Sequence, residues 1–365
     1  MATISFARGV PAPECLPVAE LADCARAAIE RDGRTVLSYG PAGGYTPLRE
    51  WVAEWHGVEP ERVLLTNGSL QGFVFLSQLL ARPDARVLVE APTYDRPLKI
   101  LARLGAEVVP LACDEDGLDP EALERELGSG PASFLYTIPT FQNPSGRTLP
   151  TERRRRVVEL AREHGLLILE DDPYGLVRFE GQPPPTLYEL AGGEGVVYSS
   201  SFSKIVAPGA RTGYLVVPPE LAREVEALAV STYITPVLLA QATVYEFVRR
   251  GLLDANVARV AGLLRERRDA MLAALERELP SGARWSRPEG GYFVWLDLAG
   301  GADAAELLAR AETEGVTFVP GCDFFPTGTG GGSASARLAF SFVSPAEIAE
   351  GVARLARLVP ALATA

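Results

Sequence analysis

Histidine is almost absent from this chain of 365 residues, and cysteine is sparse. The two histidines, His56 and His164, stand in polar helix ends or turns, so a catalyst or metal site built on histidine has little material. Four scattered cysteines form no CxxC pair and no spacing typical of metal ligands: Cys15, Cys24, Cys113 and Cys322. We therefore expect a reduced, cytoplasmic protein without a metal site, whose chemistry uses lysine, tyrosine or carboxylate side chains.

Basic residues are also few, with 35 lysines and arginines against 47 acidic residues and a net charge of −12. A nucleic-acid-binding surface would need a clustered basic face. The one basic run, Arg153 to Arg156, opens an amphipathic segment and predicts a solvated helix face. No apolar stretch is long enough to span a membrane, and the first residues lack the pattern of a signal peptide. The sequence thus predicts neither a nucleic-acid nor a membrane partner.

From about Arg62 onward, short apolar runs alternate with segments of helical period. Runs such as RVLVEAP and LLILEDD are almost wholly apolar, which is typical of strands buried on both faces of a parallel sheet. The last third of the chain instead has long helical stretches and a few short strands. We predict an α/β chain with an N-terminal segment at 1–30, a large domain at 31–251 and a small α+β domain at 252–365.

Ligands of such sheets bind beyond the carboxyl ends of the strands, and five predicted strands are followed there by polar or aromatic residues. RVLLT leads into NGSLQG, in which Gly68, Ser69 and Leu70 open a helix whose free N–H groups suit an anion. The other four strands lead to Tyr94, to Asn143 in QNPSG, to Asp171 and Tyr174 in DDPY, and to Lys204.

The stretch VVYSSSFSKIVAPGARTGYL places Lys204 among hydroxyl side chains and then brings in Arg211 through a Pro-Gly turn. Hydroxyls and cations both hold phosphate oxygens, so Ser201, Ser203 and Arg211 predict an anionic group. The alternative for this stretch alone is a solvated turn with ordinary surface charges.

Six longer motifs follow one another along the chain: LSYGPAGGYTPLREW, LVEAPTYDRPL, TFQNPSGRTL, LEDDPYGLVRF, SFSKIVAPGAR and RPEGGYFVWLDL. Their order and separations resemble those of the class I/II aminotransferases, pyridoxal-phosphate enzymes of fold type I. The likeness runs from about Ile4 to the C-terminus. It is nearest to the branch with 2-aminoadipate and aromatic aminotransferases and the effector domains of MocR-like regulators. It implies a large domain with a mostly parallel seven-stranded sheet between helices, and a small α+β domain.

The resemblance implies an aminotransferase that moves the amino group of an L-amino acid to a 2-oxo acid by a ping-pong mechanism, with pyridoxal 5′-phosphate as cofactor. Lys204 would form a Schiff base with the cofactor aldehyde and move the proton of the substrate α-carbon. Asp171 would pair with the pyridine nitrogen; Asp172 is the alternative, although the family's Asp-x-x-Tyr spacing selects Asp171. Tyr174 and Asn143 would hydrogen-bond the phenolic oxygen of the cofactor.

The remaining cofactor contacts are implied in the same way. Tyr94 would stack on the pyridine ring. The phosphate would be held by residues that the anion-binding pattern already selects: Gly68, Ser69, Leu70, Ser201, Ser203 and Arg211. Tyr39 matches a tyrosine that reaches the phosphate of the neighbouring subunit, which implies a homodimer with shared active sites.

Substrate contacts are implied near both ends of the chain. Arg337, in the strand ARLAF, matches the arginine whose planar fork binds the α-carboxylate of the substrate. Gly9 would supply a backbone contact and Asn143 a further polar one. Arg8 stands where relatives have a small residue, and it is either a distal cation for the substrate or an exposed charge. Relatives usually carry a further N-terminal helix, which we do not expect in this chain, so the resemblance leaves the donor open between apolar or aromatic amino acids and 2-aminoadipate.

Two other functions fit the same residues. Another fold type I enzyme, such as a decarboxylase, lyase or oxidase, could use the same phosphate-binding residues. A ligand-sensing effector domain would need a DNA-binding helix-turn-helix, and the sequence supplies no residues for one before Ile4.

Overall fold

The computed structural model describes residues 3–362, in which strands and helices alternate through most of the chain. The strands are β1 Ile4–Ser5, β2 Val63–Thr66, β3 Arg86–Ala91, β4 Glu107–Asp114, β5 Gly117–Leu118, β6 Phe134–Thr137, β7 Leu167–Asp171, β8 Val196–Ser201, β9 Gly213–Val216, β10 Arg284–Trp285, β11 Phe293–Asp297, β12 Val316–Thr317, β13 Val319–Pro320 and β14 Ser335–Ala339. The helices are α1 Val18–Val36, α2 Thr46–His56, α3 Ser69–Leu80, α4 Asp95–Leu104, α5 Pro120–Ser129, α6 Thr151–His164, α7 Leu187–Leu190, α8 Pro219–Tyr233, α9 Leu238–Arg249, α10 Leu252–Glu278, α11 Ala304–Thr313 and α12 Pro345–Leu362.

The large sheet has the strand order β2-β9-β8-β7-β6-β3-β4-β5. The five central strands, β8, β7, β6, β3 and β4, pair in parallel, whereas β9 pairs antiparallel with both β2 and β8. The predicted α/β class with a mostly parallel sheet is therefore confirmed. Because the central strands are parallel, their carboxyl ends lie along one edge of the sheet, and this is the edge at which the predicted site residues follow.

The predicted count of seven strands is wrong by one. The eighth strand, β5, has only two residues, and it pairs antiparallel with Cys113 and Asp114 at the edge of the sheet. A tight turn makes this possible: Asp114 Oδ1 accepts a hydrogen bond from the Asp116 N–H at 2.8 Å, and Gly117 has a φ of +92°. So short a strand leaves no hydrophobic period in the sequence.

Helices cover both faces of the large sheet, and each face has its own hydrophobic core. Val89 of β3 lies in one core with Phe73 of α3 and Leu98 of α4, whereas its neighbour Leu88 lies in the other core with Leu160 of α6. Alternate side chains thus enter opposite cores, and this double burial explains why the strands are apolar runs instead of alternating patterns.

The C-terminal part is built on the long helix α10, which packs against α12. It contains an antiparallel sheet of order β10-β11-β14-β13, and β12 pairs in parallel with the N-terminal β1. The division at 1–30, 31–251 and 252–365 stays a prediction; its first boundary falls within α1, next to the kink at Asp32. Among residues 3–362, no helix combines the length and apolarity needed to cross a membrane.

One arginine of the basic run is not on a solvated face. Arg154 is fully buried, and its guanidinium donates to the carbonyls of Leu149 and Pro139, both at 2.7 Å, and lies 3.8 Å from the Glu170 carboxylate. Within Arg153 to Arg156, the expectation of solvation was therefore wrong for this residue. The guanidinium supplies donors to loop carbonyls that would otherwise be buried unsatisfied, because a buried charge is tolerated only when it is paired and hydrogen-bonded.

Candidate active site

A cavity of about 480 Å³ lies at the carboxyl-end edge of the large sheet, between that edge and the strand β14. It gathers all of the predicted site residues except Tyr39: Arg8, Gly9, Gly68, Ser69, Leu70, Tyr94, Asn143, Asp171, Tyr174, Ser201, Ser203, Lys204, Arg211 and Arg337. The sequence places these residues up to several hundred positions apart. The fold brings them together because β2, β3, β6, β7 and β8 all end at this edge.

One end of the cavity is rich in hydrogen-bond donors. The helix α3 begins there at Ser69 after Gly68, and no side chain caps it. Ser201 and Ser203 are buried with their hydroxyls 2.8 Å apart. Gly68 has a φ of +93°, and a Cβ on it would lie 2.3 Å from Nη2 of Arg211, so this close approach requires glycine. Uncapped N–H groups, hydroxyls and a guanidinium suit a phosphate.

Lys204 lies three residues beyond β8 and extends into the middle of the cavity. Its Nζ donates a hydrogen bond to the Gly9 carbonyl at 2.9 Å and lies 5.0 Å and 5.6 Å from the ring centroids of Tyr292 and Tyr174. Removal from water, followed by the positive charges of Arg337 and Arg211, lowers the pKa of Lys204 to about 8. The fraction of Lys204 present as the neutral, nucleophilic amine is therefore far larger than for a lysine in water at the same pH.

Asp171, the last residue of β7, faces the same cavity. Its Oδ2 accepts a hydrogen bond from the Tyr136 hydroxyl at 2.9 Å, and its Oδ1 is buried without a partner of normal geometry in the described part of the chain. Burial raises the pKa of Asp171 to about 7, which the Tyr136 hydrogen bond partly opposes. Asp172, the alternative, points to the opposite face of β7 and lines a separate cavity with Trp55 and Tyr214.

Arg337 approaches the cavity from β14 and is 7% exposed. Its Nη1 donates to Asn143 Oδ1 at 3.0 Å and its Nη2 to the Ala7 carbonyl at 2.8 Å. Its Nε is buried and has no partner within residues 3–362. The guanidinium carbon lies 4.4 Å from the ring centroid of Phe293. A buried guanidinium with an unused donor is suited to a carboxylate.

The two predicted aromatic residues also line the cavity. Tyr94 is half-buried directly before α4. Tyr174 is buried, with its ring 5.3 Å from that of Tyr292 and 5.8 Å from that of Phe293. Desolvation raises the pKa of the Tyr174 hydroxyl, which therefore stays a hydrogen-bond donor at neutral pH.

Two predicted residues lie at the margin or outside. Arg8 lines the rim and is exposed, and its guanidinium carbon stacks 4.1 Å from the ring centroid of Phe342. Tyr39 does not line the cavity and is 81% exposed. The structure therefore brings together the residues implied for one subunit and leaves out the one implied for its neighbour.

Sequence reasoning missed two side chains that touch the site. Tyr136 holds Asp171, and Tyr292 packs beside Lys204. Tyr136 stands inside the apolar run FLYTIP, where nothing but its hydroxyl distinguishes it from a core residue. Tyr292 stands in the motif RPEGGYFVWLDL, for which the family resemblance implies no role of this tyrosine. A buried tyrosine needs a hydrogen-bond partner, and that rule is the only sequence signal that could have marked Tyr136.

The cavity residues fit pyridoxal 5′-phosphate. The uncapped start of α3 with Ser201, Ser203 and Arg211 offers donors for its phosphate. The buried, unpartnered Oδ1 of Asp171 offers an acceptor for a protonated ring nitrogen. The amine of Lys204 lies in the same cavity as a partner for an aldehyde. Each reactive part of the cofactor thus has a complementary group.

Comparison with known proteins agrees with this fit. The family model described as aminotransferase class I and II matches residues 14–355. The 2-aminoadipate transaminase of Thermus thermophilus is 40% identical over 363 residues, which span 98% of this chain and 90% of that protein. The aromatic-amino-acid aminotransferase 1 of Thermococcus litoralis is 35% identical over 367 residues, spanning 98% and 88%.

The same similarity holds in three dimensions. A crystal structure of the α-aminoadipate aminotransferase of Thermus thermophilus, complexed with N-(5′-phosphopyridoxyl)-L-leucine, matches with a TM-score of 0.94 and 39% identity, covering 99% of this chain and 93% of that one. This chain therefore belongs to the class I and II aminotransferases, and it is a pyridoxal-5′-phosphate-dependent transaminase that acts on amino acids and 2-oxo acids.

Proposed function

We propose that Lys204, Asp171 and Arg337 divide the chemistry of this transaminase among them. The main support is the single cavity that they share with the predicted phosphate-binding residues. Bound pyridoxal 5′-phosphate supplies an electrophilic aldehyde and a ring that accepts electrons. The surroundings of each side chain suit it to one task.

Lys204 acts as nucleophile and as proton carrier. Its lowered pKa leaves a share of neutral amine that grows as the pH rises through about 8. Freed from the cofactor aldehyde, the Nζ would be placed to take the proton from the substrate α-carbon as a general base. Asp171 would accept the N–H of the ring on Oδ1, and Tyr174 and Asn143 would donate to the phenolic oxygen.

Arg337 receives the α-carboxylate of the substrate. Its guanidinium is already oriented by Asn143 and by the Ala7 carbonyl, and its buried Nε remains to be satisfied. The Gly9 carbonyl accepts a hydrogen bond from Lys204, and Ala7, two residues earlier, accepts one from Arg337, so Gly9 is a backbone neighbour of any amino acid bound between those side chains.

We propose that the preferred donors have apolar or aromatic side chains. The lining of the cavity that is not assigned to the cofactor or to the substrate carboxylate includes two charged residues, Asp95 and Arg96, and beside them six apolar side chains: Val10, Phe73, Pro97, Ile138, Pro208 and Phe293. Two exposed cations lie at the rim: Arg8 packs on Phe342 instead of facing inward, and Arg96 lies 3.8 Å from the carboxylate of Asp95. The related proteins named above support both an aromatic and a 2-aminoadipate donor, so the position of Arg8 decides between them.

A panel of amino-acid donors assayed with 2-oxoglutarate, with glutamate as the measured product, tests this preference. We expect leucine, phenylalanine and tyrosine to exceed 2-aminoadipate and aspartate in kcat/KM by roughly tenfold or more, because an apolar pocket does not compensate a buried carboxylate. Arg8→Ala should leave the apolar donors unchanged. Dominant dicarboxylic donors would contradict the apolar pocket, and a selective loss of those donors in Arg8→Ala would show that Arg8 faces inward.

We further propose a homodimer with shared active sites. Leu37, Tyr39, Ile234 and Val237 are exposed apolar or aromatic side chains. The two pairs lie close together, because Gly40, next to Tyr39, lies against Leu238, next to Val237: a Cβ on Gly40 would be 2.5 Å from Leu238 Cδ1. We therefore treat the four side chains as one patch.

The patch adjoins the phosphate end of the cavity through Asn67. The side-chain Oδ1 of Asn67 accepts from the Val237 N–H at 3.2 Å, and its carbonyl accepts from Arg211 Nη2, also at 3.2 Å. A second copy seated on the patch would therefore lie beside Arg211. This supports the proposal that its Tyr39 serves the phosphate of this subunit.

Mixing two inactive variants tests the shared site. A subunit with Tyr39→Ala, assayed at a limiting cofactor concentration, is combined with a subunit carrying Lys204→Ala. Half of the dimers then contain both variants, and one of their two sites has both residues intact, so activity should return to about one quarter of the wild-type level. Subunit exchange is verified with a differently tagged pair, and verified exchange without any recovered activity would contradict a shared site.

We also propose a cytoplasmic location. All four cysteines are free thiols, and Cys15 and Cys24 are buried. Free thiols are typical of a reducing compartment. Fractionation of cells that express the protein, with immunodetection, would test the location.

A further inference from the structure

The end of β7 presents two carboxylates to two different places. Asp171 lines the cavity of Lys204, and Asp172 lines the cavity of Trp55 and Tyr214. Successive side chains of a strand point to opposite faces of the sheet, which accounts for the separation. Only Asp171 is placed to meet a cofactor beside Lys204.

Each carboxylate is held by a tyrosine from a neighbouring strand. Tyr136 of β6 pairs in register with Leu169, two residues before Asp171, and its hydroxyl donates to Asp171 Oδ2 at 2.9 Å. Tyr198 of β8 pairs with Glu170, two residues before Asp172, and its hydroxyl donates to Asp172 Oδ2 at the same distance. The two contacts have the same diagonal geometry on opposite faces of the sheet.

The surroundings of Asp171 oppose its negative charge. Burial disfavours the ionised carboxylate, and the neighbouring Asp172 on the same strand adds a like charge. Tyr136 from β6, and to a lesser extent the Ser199 hydroxyl from β8, favour the ionised form. Tyr94, which faces Asp171 from the segment before α4, has a raised pKa and is neutral at pH 7. Tyr136 is thus the main group that stabilises the carboxylate.

We propose that Tyr136 is a positioning residue for the cofactor: its hydroxyl fixes Oδ2 of Asp171, so that the ionised carboxylate turns Oδ1 toward the ring nitrogen. This inference rests on the proposed role of Asp171. Tyr136 is 1% exposed, and its ring centroid lies 5.0 Å from that of Phe73. A phenylalanine at this position would fill the same space as the tyrosine ring. Tyr136→Phe therefore removes the hydroxyl and keeps the packing, so it tests the hydroxyl alone. Without the hydroxyl, both carboxylate oxygens lose their fixed direction and the neutral acid becomes favoured.

A binding ratio tests the inference without any measurement of turnover. The two probes are pyridoxal 5′-phosphate and its analogue in which a C–H group replaces the ring nitrogen. Both offer the same aldehyde and phosphate, so the ratio of their dissociation constants isolates the contact to the ring nitrogen. Equilibrium binding to the apo-protein is followed at pH 7 for the wild type, Asp171→Asn, Tyr136→Phe and the matched control Tyr198→Phe.

The wild type should prefer pyridoxal 5′-phosphate. Tyr136→Phe should reduce that preference roughly tenfold, as expected for a hydrogen bond to a charged group. Tyr198→Phe, which removes the equivalent bond to Asp172, should leave the preference within about twofold of wild type. Tyr136→His, which keeps an N–H donor, should retain more of the preference than Tyr136→Phe.

The outcomes separate the two levels of the proposal. An unchanged ratio in Asp171→Asn overturns the role of Asp171 itself. A reduced ratio in Asp171→Asn with an unchanged ratio in Tyr136→Phe overturns the inference about Tyr136 alone. Equal losses in Tyr136→Phe and Tyr198→Phe, or equal ratios in Tyr136→Phe and Tyr136→His, also overturn it. If circular dichroism shows that Tyr136→Phe does not fold, Tyr136→Met replaces it as the variant without a donor, and the same comparisons apply.

Discussion

Replacing Lys204 with alanine should lower the rate of transamination by about a thousandfold or more, because acid–base catalysis alone contributes two to four orders of magnitude. The variant also loses the nucleophile, while the donors at the start of α3 and the Asp171 carboxylate remain. Cofactor binding should therefore persist in a non-covalent form. Steady-state rates with a fast donor measure the first effect, and dialysis followed by cofactor quantification measures the second.

The sequence supplies a matched control, because Lys99 is its only other lysine. Lys99 lies on α4 with an exposed side chain, and its Nζ pairs with Asp95 at 2.7 Å. Lys99→Ala should keep full activity. After borohydride reduction of the loaded protein, peptide mass spectrometry should find the cofactor on Lys204 and none on Lys99. Full activity of Lys204→Ala, or a cofactor fixed to Lys99, would refute the proposed mechanism.

Replacing Arg337 with alanine should lower kcat/KM roughly a hundredfold for every amino-acid donor. Each lost hydrogen bond to a charged group costs about 1.5–3 kcal/mol, and tenfold in rate corresponds to about 1.4 kcal/mol. The effect should be uniform across the donor panel, because the α-carboxylate is common to all donors. Arg337→Lys should recover only part of the loss, since an ammonium lacks the planar fork of guanidinium.

Two controls show whether the loss comes from the substrate carboxylate. Hydroxylamine reacts with the cofactor aldehyde but carries no carboxylate, so its rate of reaction with Arg337→Ala should match the wild type. The dissociation constant of pyridoxal 5′-phosphate should also stay close to the wild-type value. A comparable loss with hydroxylamine, or a loss confined to some donors, would show that Arg337 has a different task.

Much of the site could be predicted from the sequence because parallel strands end at one edge of the sheet. Asp171 ends a strand, and Ser69 and Lys204 each lie three residues beyond the end of one, so knowing the sheet type is sufficient to expect them together. The backbone acceptor of Lys204 could not be predicted in this way. The Gly9 carbonyl reaches it from the other end of the chain and carries no residue-specific signal.

The burial of Arg154 and the role of Tyr136 could not be predicted for the same physical reason. Both depend on residues that are distant in the sequence and become neighbours only in the folded chain. Arg154 is buried because carbonyls of the β6–α6 loop and the Pro185 carbonyl of the loop before α7 surround it, although its own segment looks like an exposed helix. Tyr136 becomes functional through a diagonal contact across two strands whose relative register is fixed only in the folded sheet. Local periodicity describes one element at a time, and these roles arise between elements.

The two adjacent carboxylates at the end of β7, Asp171 and Asp172, also determine which mutations in this strand are compatible with an intact site. Exchange of a core residue in β7 for another of similar size keeps Asp171 on the face of Lys204, so point substitutions there affect mainly packing. Deletion of a single codon within β7 would instead bring Asp172 into the position of Asp171, and insertion of a codon would bring Glu170 there. The length of this strand is therefore under a stricter constraint than its composition.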